Sequence, residues 1–327
     1  MAVAGIGLAV LSSACNPVTP YAAVVNGTAL AQTDVQTEMQ AIDANPAYRQ
    51  SVIANIPIAG AAPGAYTTQF AAAVLTRQVV YALLAQDIAQ RHIRITRADL
   101  SAATTDLTTG QYPNGEFAQF SKPYQQLLVN RQAEFMRMAA LLGNVDISPA
   151  GIQAYIAGHP TEMTQACVSR IVVTTPAAAA QVEADLAAGQ SFAAEAQAKS
   201  SDTQTSNSGG QLGCGPTPEF AQLGAPFEQA VATIPTNQPS PPVTGADGIS
   251  IIEVTSRSPL PPAEAAAYAR SLLTTGGQGA LDTMLQKQAA SASIDVDARY
   301  GTWSRSGSNG PSVTPPPAPH PHSDTGT

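Results

Sequence analysis

The sequence predicts an α+β chain that is mostly helical towards both ends. Three observations carry that reading. Residues 66–91 and 123–142 repeat apolar side chains at helical spacing. A short apolar run at 22–25 reads as a strand with no partner beside it. The alternating Ile294-Asp-Val-Asp, far away in the chain, reads as an edge strand that could supply one. Pairing it with Val24-Val25 makes the two ends close one helical domain around an inserted second domain.

Composition limits what such a chain can do. Its 327 residues have room for two modest cores. Only 12% are charged, against roughly 25% in an average soluble domain. Net charge is -8, and Lys122, Lys199 and Lys287 are the only lysines. No basic patch suited to phosphate contacts exists, so nucleic acid is excluded as a partner. The histidines are His92, His159, His320 and His322, the last two in a proline-interrupted tail. No metal site or cofactor is expected, and no Gly-rich phosphate loop follows a predicted strand.

Residues 2–11 are apolar and end in Ser12-Ser-Ala-Cys15, like the close of a secretory signal. Ser12 and Ala14 suit ordinary signal-peptidase cleavage. Cys15 after a small residue resembles a lipobox, whose cysteine is lipidated and anchors the chain to a membrane. Leu11 sits one position early for that pattern, and a short helix is a third reading. The segment is too short to span a bilayer. No Lys or Arg precedes Arg49, so a start site upstream of Met1 is expected.

Asn26-Gly27 between apolar runs signals a tight turn. Thr33 with Gln36 reads as a capping box opening a helix. In the first long helix, Leu75, Val79, Leu83 and Val80, Leu84, Ile88 form one broad apolar face. Thr96 with Asp99 caps another start. Residues 101–116, polar and ending in Tyr-Pro-Asn-Gly, read as a loop. The second long helix, from Pro123 to Leu142, stops at Gly143-Asn144. Ser148-Pro149 opens a short one. Residues 279–290 form a last helix with Leu281, Met284, Leu285 and Ala289. After Trp303 the Ser-Gly-Pro-rich tail is predicted to be disordered.

Between the two helical regions lies an ordered series of blocks: Cys167-Val-Ser-Arg-Ile-Val-Val, a helix ending Gly-Gln-Ser-Phe-Ala, and Ser-Asp…Ser-Gly-Gly-Gln-Leu-Gly. Then come Phe227-Glu-Gln-Ala-Val-Ala-Thr-Ile, Gln238-Pro-Ser-Pro-Pro-Val and Gly248-Ile-Ser-Ile-Ile-Glu-Val. This order resembles the parvulin family of peptidyl-prolyl isomerases. The N-terminal strand, turn and capped helix, and the split helical layout, resemble the SurA and PrsA families of exported folding factors. The resemblance implies a parvulin-like domain at 161–257, a four-stranded antiparallel sheet with helices. It sits between a helical chaperone region at 21–160 and a completing helix and strand at 258–303, followed by a tail from 304.

Prolyl isomerisation has a barrier of ~18–20 kcal/mol, because the twisting amide loses resonance. It needs an apolar pocket that favours the twisted amide, and no covalent step or metal. By resemblance, Leu212 and Phe227 line that pocket, with Leu223 as a further apolar wall. Ordinary core packing is the alternative for each. The polar centre departs from the family. Its first-strand histidine aligns with Arg170, its last-strand histidine with Ser250, and its central acid or cysteine with Asp202 or Thr203. Arginine is permanently charged and cannot act as a tunable imidazole. An Arg170–Asp202 ion pair is therefore expected where the family has a hydrogen-bond network.

Cys167 opens the first of these blocks, and Cys214 directly follows the Gly-Gly-Gln-Leu-Gly segment. An even pair in an exported chain fits either a disulfide or two buried thiols. The chain is thus expected to be an exported, lipid-anchored folding factor of the cell envelope. It would bind unfolded or proline-containing polypeptides through a parvulin-like domain of weak or lost activity. An isomerase that uses Asp202, Thr203 or Ser250 and a non-catalytic scaffold lipoprotein are the alternatives.

Overall fold

The computed structural model describes residues 20–53, 55–307 and 310–317. Cys15, His320 and His322 lie outside them. The strands, in chain order, are β1 (Tyr21–Val25), β2 (Thr28–Ala31), β3 (Thr164–Val173), β4 (Gln211–Pro216), β5 (Val243–Gly245), β6 (Gly248–Pro259), β7 (Ile294–Val296), β8 (Thr302–Ser304) and β9 (Ser312–Thr314). The chain divides into two compact units. The first holds the residues up to Arg94, Tyr112–Phe135 and everything from Leu281 on; the second holds Ile95–Gln111 and Met136–Ala280.

In the first unit β1 is the middle strand of a three-stranded sheet. It turns through Asn26-Gly27, both at positive φ, into antiparallel β2. On its other edge it pairs antiparallel with β7, Val24 opposite Asp295 and Val25 opposite Ile294. Residues almost the whole chain apart thus complete one sheet. The helix Thr68–Gln90 buries Phe70, Leu75, Val79, Leu83 and Leu84. The helix Gln32–Asp43 buries Val35, Met39 and Ile42.

Buried between those helices and Lys122–Leu142 is Glu38, 1% exposed. It accepts from Arg131 at 2.7 and 3.1 Å, from Gln78 at 2.7 Å and from Arg77. Burial pushes the Glu38 carboxyl up, but the two guanidinium groups and Gln78 outweigh it and hold it below the usual range. A cluster of Tyr48, Tyr112, Phe117, Phe120 and Tyr124 packs mostly edge to face nearby.

Four local expectations meet a different outcome. The helix at Thr33 begins at Gln32, with Ala31 as an N-cap that has no side-chain bond. Thr33 is thus already inside the helix and the Thr33–Gln36 box does not form; the Gln32 N–H donates to Pro20 O at 3.0 Å. The expected loop at 101–116 is largely helix, Arg97–Asp106 followed by a π-helical turn, Leu107–Gln111. The hydroxyls of Thr104, Thr105, Thr108 and Thr109 bond back to carbonyls one turn earlier, which satisfies a polar stretch within helix. Thr96 and Asp99 do form a reciprocal capping box there.

The C-terminal helix runs from Pro262 to Ser291, well beyond 279–290. Its Gly277 lets backbones meet: a Cβ there would sit 1.9 Å from Ala139 O. That close approach joins 136–160 to 258–280, and both segments fall in the second unit. Finally, residues 304–317 are not all disordered. β8 and β9 form a hairpin with Trp303 opposite Val313. Val313 is buried, and its N–H donates to Thr76 Oγ1 at 2.9 Å.

In the second unit the sheet order is β4-β3-β6-β5, antiparallel at every pairing. One face of β3 and β6 carries Ile171, Val173 and Ile251 against Val182, Phe192 and Ala196 of two helices. The other face carries the candidate site.

Candidate functional site

β3 is the central support of the site. Its alternation places Ala166, Val168 and Arg170 on one face. The apolar members of that face join Ile252 and Val254 of β6, and Phe220, Phe227 and Val231 beyond the sheet, in one buried cluster. Leu212, Leu223 and Val243 pack against it half-buried. Leu212 reaches the cluster from an irregular position. β3 pairs Val168 with Gly213 but Ser169 with Gln211, so Leu212 is the extra residue of a bulge. Bulges re-aim side chains in this way.

Phe227 stands on the helix Ala225–Thr233 and is 3% exposed. Its ring lies 6.4 Å from that of Phe220. Leu223 closes the 3-10 helical stretch Thr217–Leu223 just before it. The structure therefore brings Leu212, Leu223 and Phe227 together on one wall.

Arg170 is on the same face of the sheet, opposite Ile252, and is 8% exposed. Its Nε donates to Asp202 Oδ2 at 3.0 Å, its Nη2 lies 2.9 Å from the same oxygen, and its Nη1 donates to Asp247 Oδ2 at 2.8 Å. Asp202 is held by a loop tied to the edge of β3, where Val172 N donates to Ser200 Oγ and Ser201 N to Val172 O. It also accepts from Thr205 Oγ1 at 2.7 Å and from Gln204 N at 3.1 Å. Burial pushes the Asp202 carboxyl up, but Thr205, Arg170 and Gln204 together keep it below the ordinary carboxylate range. The chain after this loop must pass close under Arg170. A Cβ on Gly210 would sit 2.4 Å from Arg170 O, at a φ of +80°, so only glycine fits.

The other two aligned positions fare differently. Ser250 is buried on β6 between Val172 and Val243. Thr203 is exposed, and the hydroxyl that reaches Asp202 belongs to Thr205. Sequence reasoning did not single out Thr205 or Asp247. Their signals were present: Thr205 follows Asp202 at the spacing of a side-chain-closed turn, and Asp247-Gly248 is a hairpin dipeptide.

Cys167 and Cys214 face one another across β3 and β4 and are joined by a disulfide, with Cα atoms 3.9 Å apart. The bond clamps the strand that carries Leu212. Chemically, the site offers an apolar cluster and, on the same face of the sheet, a cation paired with two carboxylates. Arg170 has no neutral nitrogen to take a proton. Leu212 and Leu223 form the half-buried edge of the apolar cluster, Phe227 is buried within it, and Arg170 is paired with both carboxylates.

Residues 169–256 match the model of the rotamase family, described as the PPIC-type PPIASE domain. None of the curated proteins matches the chain. Among solved structures it is similar to the peptidylprolyl isomerase PrsA of Bacillus anthracis, at 18% identity over 65% of this chain and 96% of that one, TM-score 0.33. It is similar to PrsA of Bacillus cereus, at 17% identity over 85% and 93%, TM-score 0.37. The structure reported for the SurA-like chaperones PEB4 and Cj1289 of Campylobacter jejuni is similar at 17% identity over 84% and 98%, TM-score 0.29. With its four-stranded antiparallel sheet and its single apolar wall, the stretch from Ser169 to Ser256 is a domain of the PPIC-type peptidyl-prolyl isomerase family.

Proposed function

We propose that this protein is an exported folding factor that binds proline-containing segments of unfolded chains and isomerises them weakly or not at all. The observation that carries the reading is the pairing of Leu212, Leu223 and Phe227 in one cluster with an Arg170–Asp202–Asp247 centre. Isomerisation moves no proton, so an apolar pocket keeps its value without the imidazoles, while the loss of a polar network costs typically ~10²–10⁴-fold where acid–base work is involved.

Export is supported by the Cys167–Cys214 disulfide, a bond that persists in oxidising compartments, and by the apolar segment before Cys15. Lipid on Cys15 would anchor the chain to the membrane surface of the cell envelope, where the first unit would act as a chaperone. The deciding experiment is a proline-limited refolding assay on the full chain, paired with a peptide-binding titration. Binding with little acceleration supports the reading. Acceleration equal to that of a histidine-bearing parvulin refutes the loss of catalysis, and absence of any prolyl-peptide binding refutes the whole.

A further inference from the structure

The three charged groups at the site do not cancel. Arg170 supplies one positive charge, and Asp202, held ionised, matches it. Asp247 then adds a second carboxylate, and its side chain is 48% exposed. Its position is at the rim of the apolar wall. A Cβ on Gly245 would lie 3.4 Å from Asp247 Oδ1 and 3.7 Å from Leu223 O, so this carboxylate and the Leu223 backbone border the same space. Val243, two residues before Gly245, packs on the cluster itself.

No basic side chain in the surrounding domain is spare to offset the excess. Residues 161–257 carry Asp or Glu at nine positions and Lys or Arg at three. Arg170 is held as above. Lys199 is held by Asp185 and Glu195, and Arg257 by the carbonyls of Val231 and Ile234.

We propose that Asp247 is a specificity-determining residue of the prolyl site, favouring segments with Lys or Arg beside the proline and disfavouring those with Asp or Glu. The inference rests on the prolyl-binding reading above and names its substrate class. Arg170 fixes the Asp247 carboxylate by one oxygen, so the charge is presented from a set place. A charge at a half-exposed rim acts modestly in water and is screened by salt.

The test is a titration of the full chain with three dye-labelled peptides, Ala-Lys-Pro-Phe, Ala-Ala-Pro-Phe and Ala-Glu-Pro-Phe, read by fluorescence anisotropy. At low salt the Lys peptide should bind roughly three- to ten-fold more tightly than the Glu peptide. That ratio should fall towards one in about 1 M salt, where the Debye length is about 3 Å. Asp247→Asn should shrink the ratio and Asp247→Lys should invert it. The salt series needs no variant to fold. Equal affinities in the parent chain, a ratio indifferent to salt, or a ratio unchanged in both variants would overturn the inference while leaving the prolyl site standing. Binding of none of the three peptides would remove both.

Discussion

Arg170 and Asp202 meet through two N–H groups that converge on one carboxylate oxygen, Nε at 3.0 Å and Nη2 at 2.9 Å from Oδ2. Both side chains are about nine-tenths buried. Removing Arg170 strands the buried Asp202 carboxylate, and removing Asp202 leaves Arg170 only the half-exposed Asp247. Arg170→Ala or Asp202→Ala should therefore cost about 3 kcal/mol in a denaturant melt, whereas the paired change Arg170→Met with Asp202→Leu should cost clearly less than the two singles added.

The same pair fixes a pH window. The folded Asp202 pKa lies below its ordinary value of 3.8, so its contribution is complete above pH ~4 and is lost as pH falls through the folded pKa. Stability of the parent chain should drop as pH falls below about 4. Asp202→Asn, less stable at neutral pH, should lose part of that slope. Equal slopes in parent and variant would contradict the assignment.

Two neighbouring glycines in the helix Pro262–Ser291 should respond in opposite directions. A Cβ on Gly276 meets nothing within 4 Å, so Gly276→Ala should stabilise by about 0.5–1 kcal/mol through helix propensity. A Cβ on Gly277 would stand 1.9 Å from Ala139 O and 2.9 Å from Gly143 N. Gly277→Ala should destabilise by about 2–3 kcal/mol, because backbone must move to admit it. Thermal melts of the two variants check both signs.

Breaking the Cys167–Cys214 bond should loosen β4. The bond closes a loop of sequence separation 47, and the paired Cys→Ser variant should lose about 2–4 kcal/mol. Prolyl-peptide binding should weaken with it, since Leu212 lies on that strand. Hydrogen exchange across Gln211–Pro216 should quicken before exchange across β6 does.

Much of the fold was readable because the controlling signals are local or periodic. The Thr96–Asp99 box and the Ser148-Pro149 start need only a few residues, and both form. Even the distant partnership of Val24-Val25 with Ile294-Asp-Val could be inferred, since an unpaired strand demands a partner and few alternating segments were on offer. What escaped depends on tertiary detail. Thr33 does not cap because the helix starts one residue earlier, at Gln32, whose N–H finds Pro20 O. The helix read at 279–290 extends back through Gly276, Gly277 and Gly279, and Gly277 is the contact point for Ala139. At the site, the blocks located Leu212, Phe227, Arg170 and Asp202. The turn that delivers Asp247 and the hydroxyl of Thr205 became visible only once the loops had a shape.

The β1–β7 pairing sets a timetable. A ribosome delivers β1 first and β7 only after some 270 further residues, so for most of synthesis one edge of β1 lies open to stray strands. The rotamase domain, contiguous in sequence, has all its strands by Pro259 and can fold while the other unit still waits. A chain that stops short of Ile294 would therefore carry a finished rotamase domain and, on β1, a raw, adhesive edge.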